Sequence, residues 1–159
     1  MRSFCSLGLL IAALLIFSGC RAEPSPVPPA EEAAPVPIYP HQIADGTYEI
    51  SVTSSSSMFR VVNCLLTVDG STMTAAMTMS GQGYGYIYPG TGEEALQASE
   101  ETYIPFVLNE EGAKVFTVPV AALNQEADYA AWSIKKETWY DRVLIFESAR
   151  LPAEIIEQE

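Results

Sequence analysis

The chain has 159 residues, with 20 acidic side chains against 8 basic ones, a formal net charge of −12 and a single histidine. So acidic a protein is repelled by nucleic acid and by anionic headgroups, which excludes both as natural partners. Three cysteines, one histidine and no HExxH-type spacing exclude a disulfide framework and the familiar zinc-site patterns.

Arg2 gives a short positive start, Leu7 to Phe17 is an apolar run too short to span a bilayer, and Ser18 and Gly19 are small residues of the cleavage-site kind. Residues 1–19 read as an export signal. The run ends in IFSGC, which resembles a bacterial lipobox, with phenylalanine at Phe17 where leucine is common. The resemblance implies that Cys20 is lipidated and becomes the mature N-terminus. Buried acyl chains, at about 0.8 kcal/mol per methylene, then hold the protein on the membrane. Counted from Cys20, 7 basic minus 20 acidic residues leave −13. Cys5 departs with the signal and Cys20 carries lipid, so Cys64 is the one remaining thiol. It lies in the apolar run VVNCLLTV, where a small core residue is expected rather than a nucleophile.

Residues 20–42 hold seven of the eleven prolines and form the expected lipidated spacer, extended and solvated. Residues 43–151 have the length of one domain, and 152–159 read as a frayed tail. Within the domain the pattern is β. DGTYEISVT puts Tyr48, Ile50 and Val52 on one face, and MFRVVNCLLTV suits a strand buried on much of both faces. Asp69-Gly70 marks a hairpin turn, after which MTAAMTM places Met73, Ala75, Met77 and Met79 inward. GEEALQAS predicts a short helix with acids in its first turn. Strands are expected at 103–108, 114–120, 127–134 and 139–147. The sum is an all-β fold, an antiparallel immunoglobulin-like sandwich of about seven strands with one short helix. Leu66, Val68, Phe116, Val118, Leu144 and Phe146 are its expected core.

The stretch SGQGYGYIYPGTGEEA, residues 80–95, sets Tyr84, Tyr86 and Tyr88 at every second position among glycines. Its composition predicts an irregular, flexible segment. A nucleotide-binding glycine loop lacks its full spacing, its βαβ unit and a nearby lysine. Two readings remain: rings packed on a sheet edge, or an aromatic shelf formed with Met58, Phe59 and Trp139 for a porphyrin, a sugar or a protein surface.

The order of phrases across residues 44–148 carries a resemblance: a DGTY strand, a Ser-rich stretch ending in Met58-Phe59, LTV-DG-xMT, TVPV-x-AL and WYDRVLIFES. In that order they resemble the near-iron-transporter (NEAT) domain and related clostridial-type lipoproteins. The resemblance implies haem as ligand, held between Ser54–Phe59 and the last hairpin. Haem-binding members carry Tyr-x-x-x-Tyr there. Tyr140 falls at the second tyrosine and Lys136 at the first, and a protonated lysine cannot replace a phenolate as an iron ligand.

No serine elbow, catalytic cysteine pair or histidine constellation is present, and the paired glutamates point to opposite strand faces, so no enzyme is expected. The sequence reading is a lipid-anchored, extracytoplasmic binding protein for haem or another iron-bearing small molecule. Alternatives are a cell-surface module that binds protein or glycan through the tyrosine loop, and the capture component of an iron importer. The ligand-binding residues expected are Met58, Phe59, Tyr84, Tyr86, Tyr88, Trp139 and Tyr140.

Overall fold

The alternation of apolar and polar side chains read from the sequence is realised as strands in the computed structural model, which describes residues 35–157. Among these residues the elements are β1 (Gly46–Ser54), β2 (Val61–Asp69), β3 (Thr72–Met79), β4 (Tyr84–Pro89), α1 (Gly92–Gln97), β5 (Ile104–Pro105), β6 (Val107–Leu108), β7 (Lys114–Val120), β8 (Glu126–Ser133) and β9 (Thr138–Glu147). All pairings are antiparallel. The spatial order is β5-β4-β8-β9-β1-β2-β3-β7-β6.

β1 joins the two halves of this order. Its first half, Gly46 to Ile50, pairs with β2, and its second half, Ser51 to Ser54, pairs with β9. One strand therefore serves two sheets, and their inner faces enclose a single core. The expected strand phases hold. Leu66, Val68, Phe116, Val118, Leu144 and Phe146 are all buried, as are Met73, Ala75, Met77 and Met79, while Tyr48 and Val52 pack half-buried beside Ile50. Tyr129 of β8 ties the sheets together: its ring meets Phe146 edge-on at 6.0 Å, and its hydroxyl donates to the Pro119 carbonyl of β7.

Three local expectations are corrected. The glycine-rich stretch is not an irregular loop, because Tyr84–Pro89 is a strand whose backbone is paired by β8 on one side and by β5 on the other. Its glycines lower intrinsic strand preference, but ladder bonds on both sides outweigh this. The strand expected at 103–108 breaks into β5 and β6, because the chain turns at Phe106 to set its ring on Phe116 at 6.1 Å. The strand count rises to nine for these two reasons. Third, β2 is buried on one face and not on both: Cys64, Leu66 and Val68 enter the core, while Val62 and Leu65 stand exposed on the outer face of the sheet, which no second layer among the described residues covers there.

The folded unit also extends past both expected boundaries. Ile38 bridges to Leu123, a 3-10 turn forms at Pro40–Gln42, and Ile43 bridges to Ile156. Residues 152–157 are not frayed, since Ile155 and Ile156 pack against the core and the Glu157 N–H donates to the Gln42 carbonyl at 2.7 Å. Apolar side chains at each end supply the burial that composition alone did not suggest. Cys20 and the signal stretch lie outside the described residues.

Cys64 is buried, and loss of hydration pushes its thiol up to about 12 from an ordinary 9.0. Two outcomes follow for stability. Leu66→Ala should cost about 2–5 kcal/mol in denaturant unfolding, the range for emptying a packed leucine site. Because the Cys64 proton is held more tightly in the fold than in the unfolded chain, its contribution is fully present below pH 9 and is lost as pH climbs toward 12. A Cys64→Ala variant should show less alkaline destabilisation over that window, and the native thiol should resist thiol reagents until the chain unfolds.

Candidate functional site

One residue in β4 decides where the tyrosines go. Tyr84 pairs with Ser133 and Tyr86 pairs with Trp132, so two steps along β4 match one step along β8. That is a β-bulge at Gly85, and it reverses the facing of everything before it. Without it, Tyr84, Tyr86 and Tyr88 would share a face. With it, Tyr84 falls with Ser133 and Tyr140 on the inner face, while Tyr86 falls with Trp132 and Trp139 on the outer face. Gly85 is buried, and a Cβ there would come within 3.2 Å of Ile134 and 3.6 Å of Trp132, so the bulge position is crowded as well as bent.

On the inner face the sandwich opens into a cleft of about 590 Å³ between the serine lip and the β8–β9 hairpin. Met58, Met79, Tyr84 and Tyr140 give it apolar and aromatic walls; Arg60, Lys135, Lys136 and Arg142 give it charge, and no acidic residue lines it. Among the described residues there are six basic side chains, and four of them line this cleft. A fifth, Lys114, does not line it but bonds the backbone of Tyr84, which does. Its ammonium donates to the carbonyls of Gln82 at 2.9 Å and Tyr84 at 2.7 Å and sits 4.0 Å from the centre of the Phe106 ring. Burial pulls its pKa below the usual lysine range. Only Arg150 lies elsewhere, in the one ion pair found among the described residues, with Glu49.

Arg142 organises the cleft wall. Its guanidinium lies 5.8 Å from the Tyr84 ring centre and 5.1 Å from that of Tyr140, and it donates to the Tyr84 hydroxyl at 3.1 Å and to the Asp141 carbonyl at 2.7 Å. Its Nε is buried with no partner among the described residues. Chemically the cleft suits an amphipathic anion: an apolar body against sulfur and rings, with carboxylates or phosphates toward the guanidinium and ammonium groups.

The outer face carries a second pocket of about 370 Å³ lined by Tyr86, Leu96, Glu100, Tyr103, Trp132 and Trp139. Its wall is set by α1 and the 3-10 turn that follows. Thr91 caps α1 by accepting from the Glu94 N–H at 3.3 Å, while Glu94 accepts from the Thr91 N–H at 2.8 Å and from its hydroxyl at 3.0 Å. These bonds, the backbone one foremost, hold the Glu94 carboxyl below the usual range. From β9, Asp141 accepts the Gly92 N–H at 2.6 Å and binds the helix start to the sheet.

The residues expected to form one aromatic shelf are thus divided. Met58, 80% exposed, Tyr84 and Tyr140, 38% exposed, line the inner cleft. Phe59 does not face a ligand: at 1% exposure it is core, packed 5.3 Å from Tyr84 and holding that ring up into the cleft. Tyr86 and Trp139 line the outer pocket, and Tyr88 packs edge-on against Tyr103 at 6.4 Å. Sequence reasoning placed Lys136 at this site only through the family resemblance, and missed Arg60, Lys135, Arg142, Trp132 and Tyr103. Among the described residues no group of three or more His, Cys, Asp or Glu can hold a metal ion, and no helix is long and apolar enough to cross a membrane.

No protein-family model matches this sequence, and comparison with curated proteins returns no match. Among solved structures, the chain is similar to the NEAT5 domain of IsdX2, a B. anthracis hemophore in complex with heme. The identity is 13% and the TM-score 0.49, over 68% of this chain and 100% of that one.

Removing the cap should loosen the outer wall. Thr91→Ala is expected to cost about 1 kcal/mol in denaturant unfolding at neutral pH. The loss should shrink on acidification, because a carboxylate held at low pKa contributes above its unfolded pKa and ceases to as pH falls through the folded one.

Proposed function

We propose that this protein is a lipid-anchored extracytoplasmic binding module whose inner cleft captures a flat, amphipathic anion of the porphyrin class, haem foremost. The observation that carries the reading is the charge map. In a chain of net charge −12, four of six described basic side chains line one cleft that contains no acid, and a fifth, Lys114, bonds the backbone of the cleft residue Tyr84. Gathering like charges costs stability, so such a cluster is best understood as a site awaiting an anion. The cleft volume lies within the ~300–1,000 Å³ usual for small-molecule sites.

The walls favour a ring system over a bare phosphate. Met58 and Met79 offer polarizable surface, Tyr84 and Tyr140 offer ring faces, and Arg142 sits between the two phenols where a carboxylate would meet it. The order of sequence phrases that resembles NEAT domains supports the same class. Lys136 and Tyr140, at the two positions of the family's tyrosine pair, both line the cleft. Tyr140 is then the phenol available to ferric iron, and Lys136 serves as a counter-charge. The lipid on Cys20 and the proline-rich spacer would hold the cleft away from the membrane, on the outer side where such a ligand is met.

Haemin titration of the purified protein tests the cleft. A saturable shift of the Soret band is expected, weakened at least tenfold, about 1.4 kcal/mol, in Arg142→Ala and in the double variant Lys135→Ala/Lys136→Ala, and weakened by added salt. Tyr140→Phe should alter the band shape, and Lys136→Tyr should strengthen it. An unshifted Soret band in the parent protein, or equal affinity in the Arg142 variant, would refute the reading. Labelling with an alkyne fatty acid should mark the parent chain and not Cys20→Ser; an unlabelled parent would remove the anchor from the proposal.

A further inference from the structure

The outer pocket has the opposite electrostatic character from the inner cleft. Trp139, Trp132 and Tyr86 are directly paired across β9, β8 and β4, so their rings stand in one row on one face. Tyr103 closes the row from above, 4.9 Å from Trp139 and 6.0 Å from Tyr86, fixed by its hydroxyl donating to the Ala95 carbonyl at 2.7 Å. The rings are steeply inclined to one another: 63° between the tryptophans, 68° between Tyr103 and Trp139, 53° between Tyr86 and Tyr103. No basic residue lines the pocket, whereas the Glu100 carboxylate does, and it is in no ion pair among the described residues. Glu93 and Glu101 are exposed on the same stretch of chain.

We infer that this pocket is a second binding site, for a quaternary ammonium group. Aromatic faces carry the negative end of the ring quadrupole, and a cation that cannot hydrogen-bond loses little by leaving water for them. Glu100 supplies the countercharge. Rings inclined at 53–68° make the corner of a box, which surrounds a rounded cation; a pyranose instead needs a flat shelf and several free hydrogen-bonding groups, and the Tyr103 hydroxyl is already committed. An anion such as haem is disfavoured here by Glu100 and its neighbours. The two sites lie on opposite faces of the same sheet and are independent, so this inference does not rest on the haem reading.

The test uses choline chloride and tetramethylammonium chloride, read by intrinsic fluorescence. Both tryptophans of the chain line this pocket, so the signal reports it directly. A saturable change is expected with both salts, absent with sodium chloride and ammonium chloride at equal ionic strength. Glu100→Gln, an exposed position, and Tyr86→Leu should each weaken choline binding about tenfold, while Arg142→Ala leaves it unchanged. Phosphatidylcholine vesicles form a separate arm. Vesicle binding lost in Glu100→Gln assigns a lipid headgroup as the source, and a response to choline without vesicle binding assigns a free solute; both uphold the site. It is overturned if choline gives no saturable signal, if Glu100→Gln and Tyr86→Leu bind it as the parent does, or if neutral oligosaccharides saturate the signal in its place.

Discussion

A single extra residue in an edge-side strand governs this molecule. Side chains alternate across a sheet with period two, so one inserted position exchanges the faces of every residue on one side of it. At Gly85 that exchange carries Tyr84 inward to Phe59 and Arg142, and leaves Tyr86 outward against Tyr103. It divides the tyrosines between two surfaces of contrary charge. The inner one is a basic cleft at the mouth of the core, and the outer one an acidic aromatic pocket under α1.

The cleft also shows how the fold tolerates its own cations. Lys114 is almost wholly buried without an acidic partner, and two carbonyls and the face of Phe106 satisfy its ammonium instead. One of those carbonyls belongs to Tyr84, so the lysine also secures the start of β4 beside the bulge. Arg142 is similarly held by ring faces, a phenol and a carbonyl, with its Nε left over. Dipoles and π faces position these charges while leaving their net charge uncompensated, which is the condition an anionic guest requires. An aspartate or glutamate in either place would neutralise the cleft.

The sandwich was legible wherever local pattern and tertiary environment agreed. Met73, Ala75, Met77 and Met79 declare their face by strict alternation, and Thr91 with Glu94 declares a helix start. β4 was not legible, because glycine-rich composition describes a loop unless partners on both sides are known, and those partners, β5 and β8, are distant or weak in sequence. The bulge was hidden for the same reason: period two along Tyr84, Tyr86 and Tyr88 holds only if pairing is unbroken. Trp132 could have been found, since a turn centred on Lys135-Lys136 pairs it with Trp139. The basic cleft was not legible because no local pattern joins its cations. The informative residues were the few cations, spread from Arg60 to Arg142 and adjacent only in the fold.

Proton–proton proximity in solution tests the bulge most directly. Nuclear Overhauser effects should connect the ring of Tyr84 with that of Phe59, and the ring of Tyr86 with those of Tyr103 and Trp132, with no effect between Tyr84 and Trp132. Contacts from Tyr84 to Trp132 or Tyr103 would place all three tyrosines on one face and contradict the division into two sites.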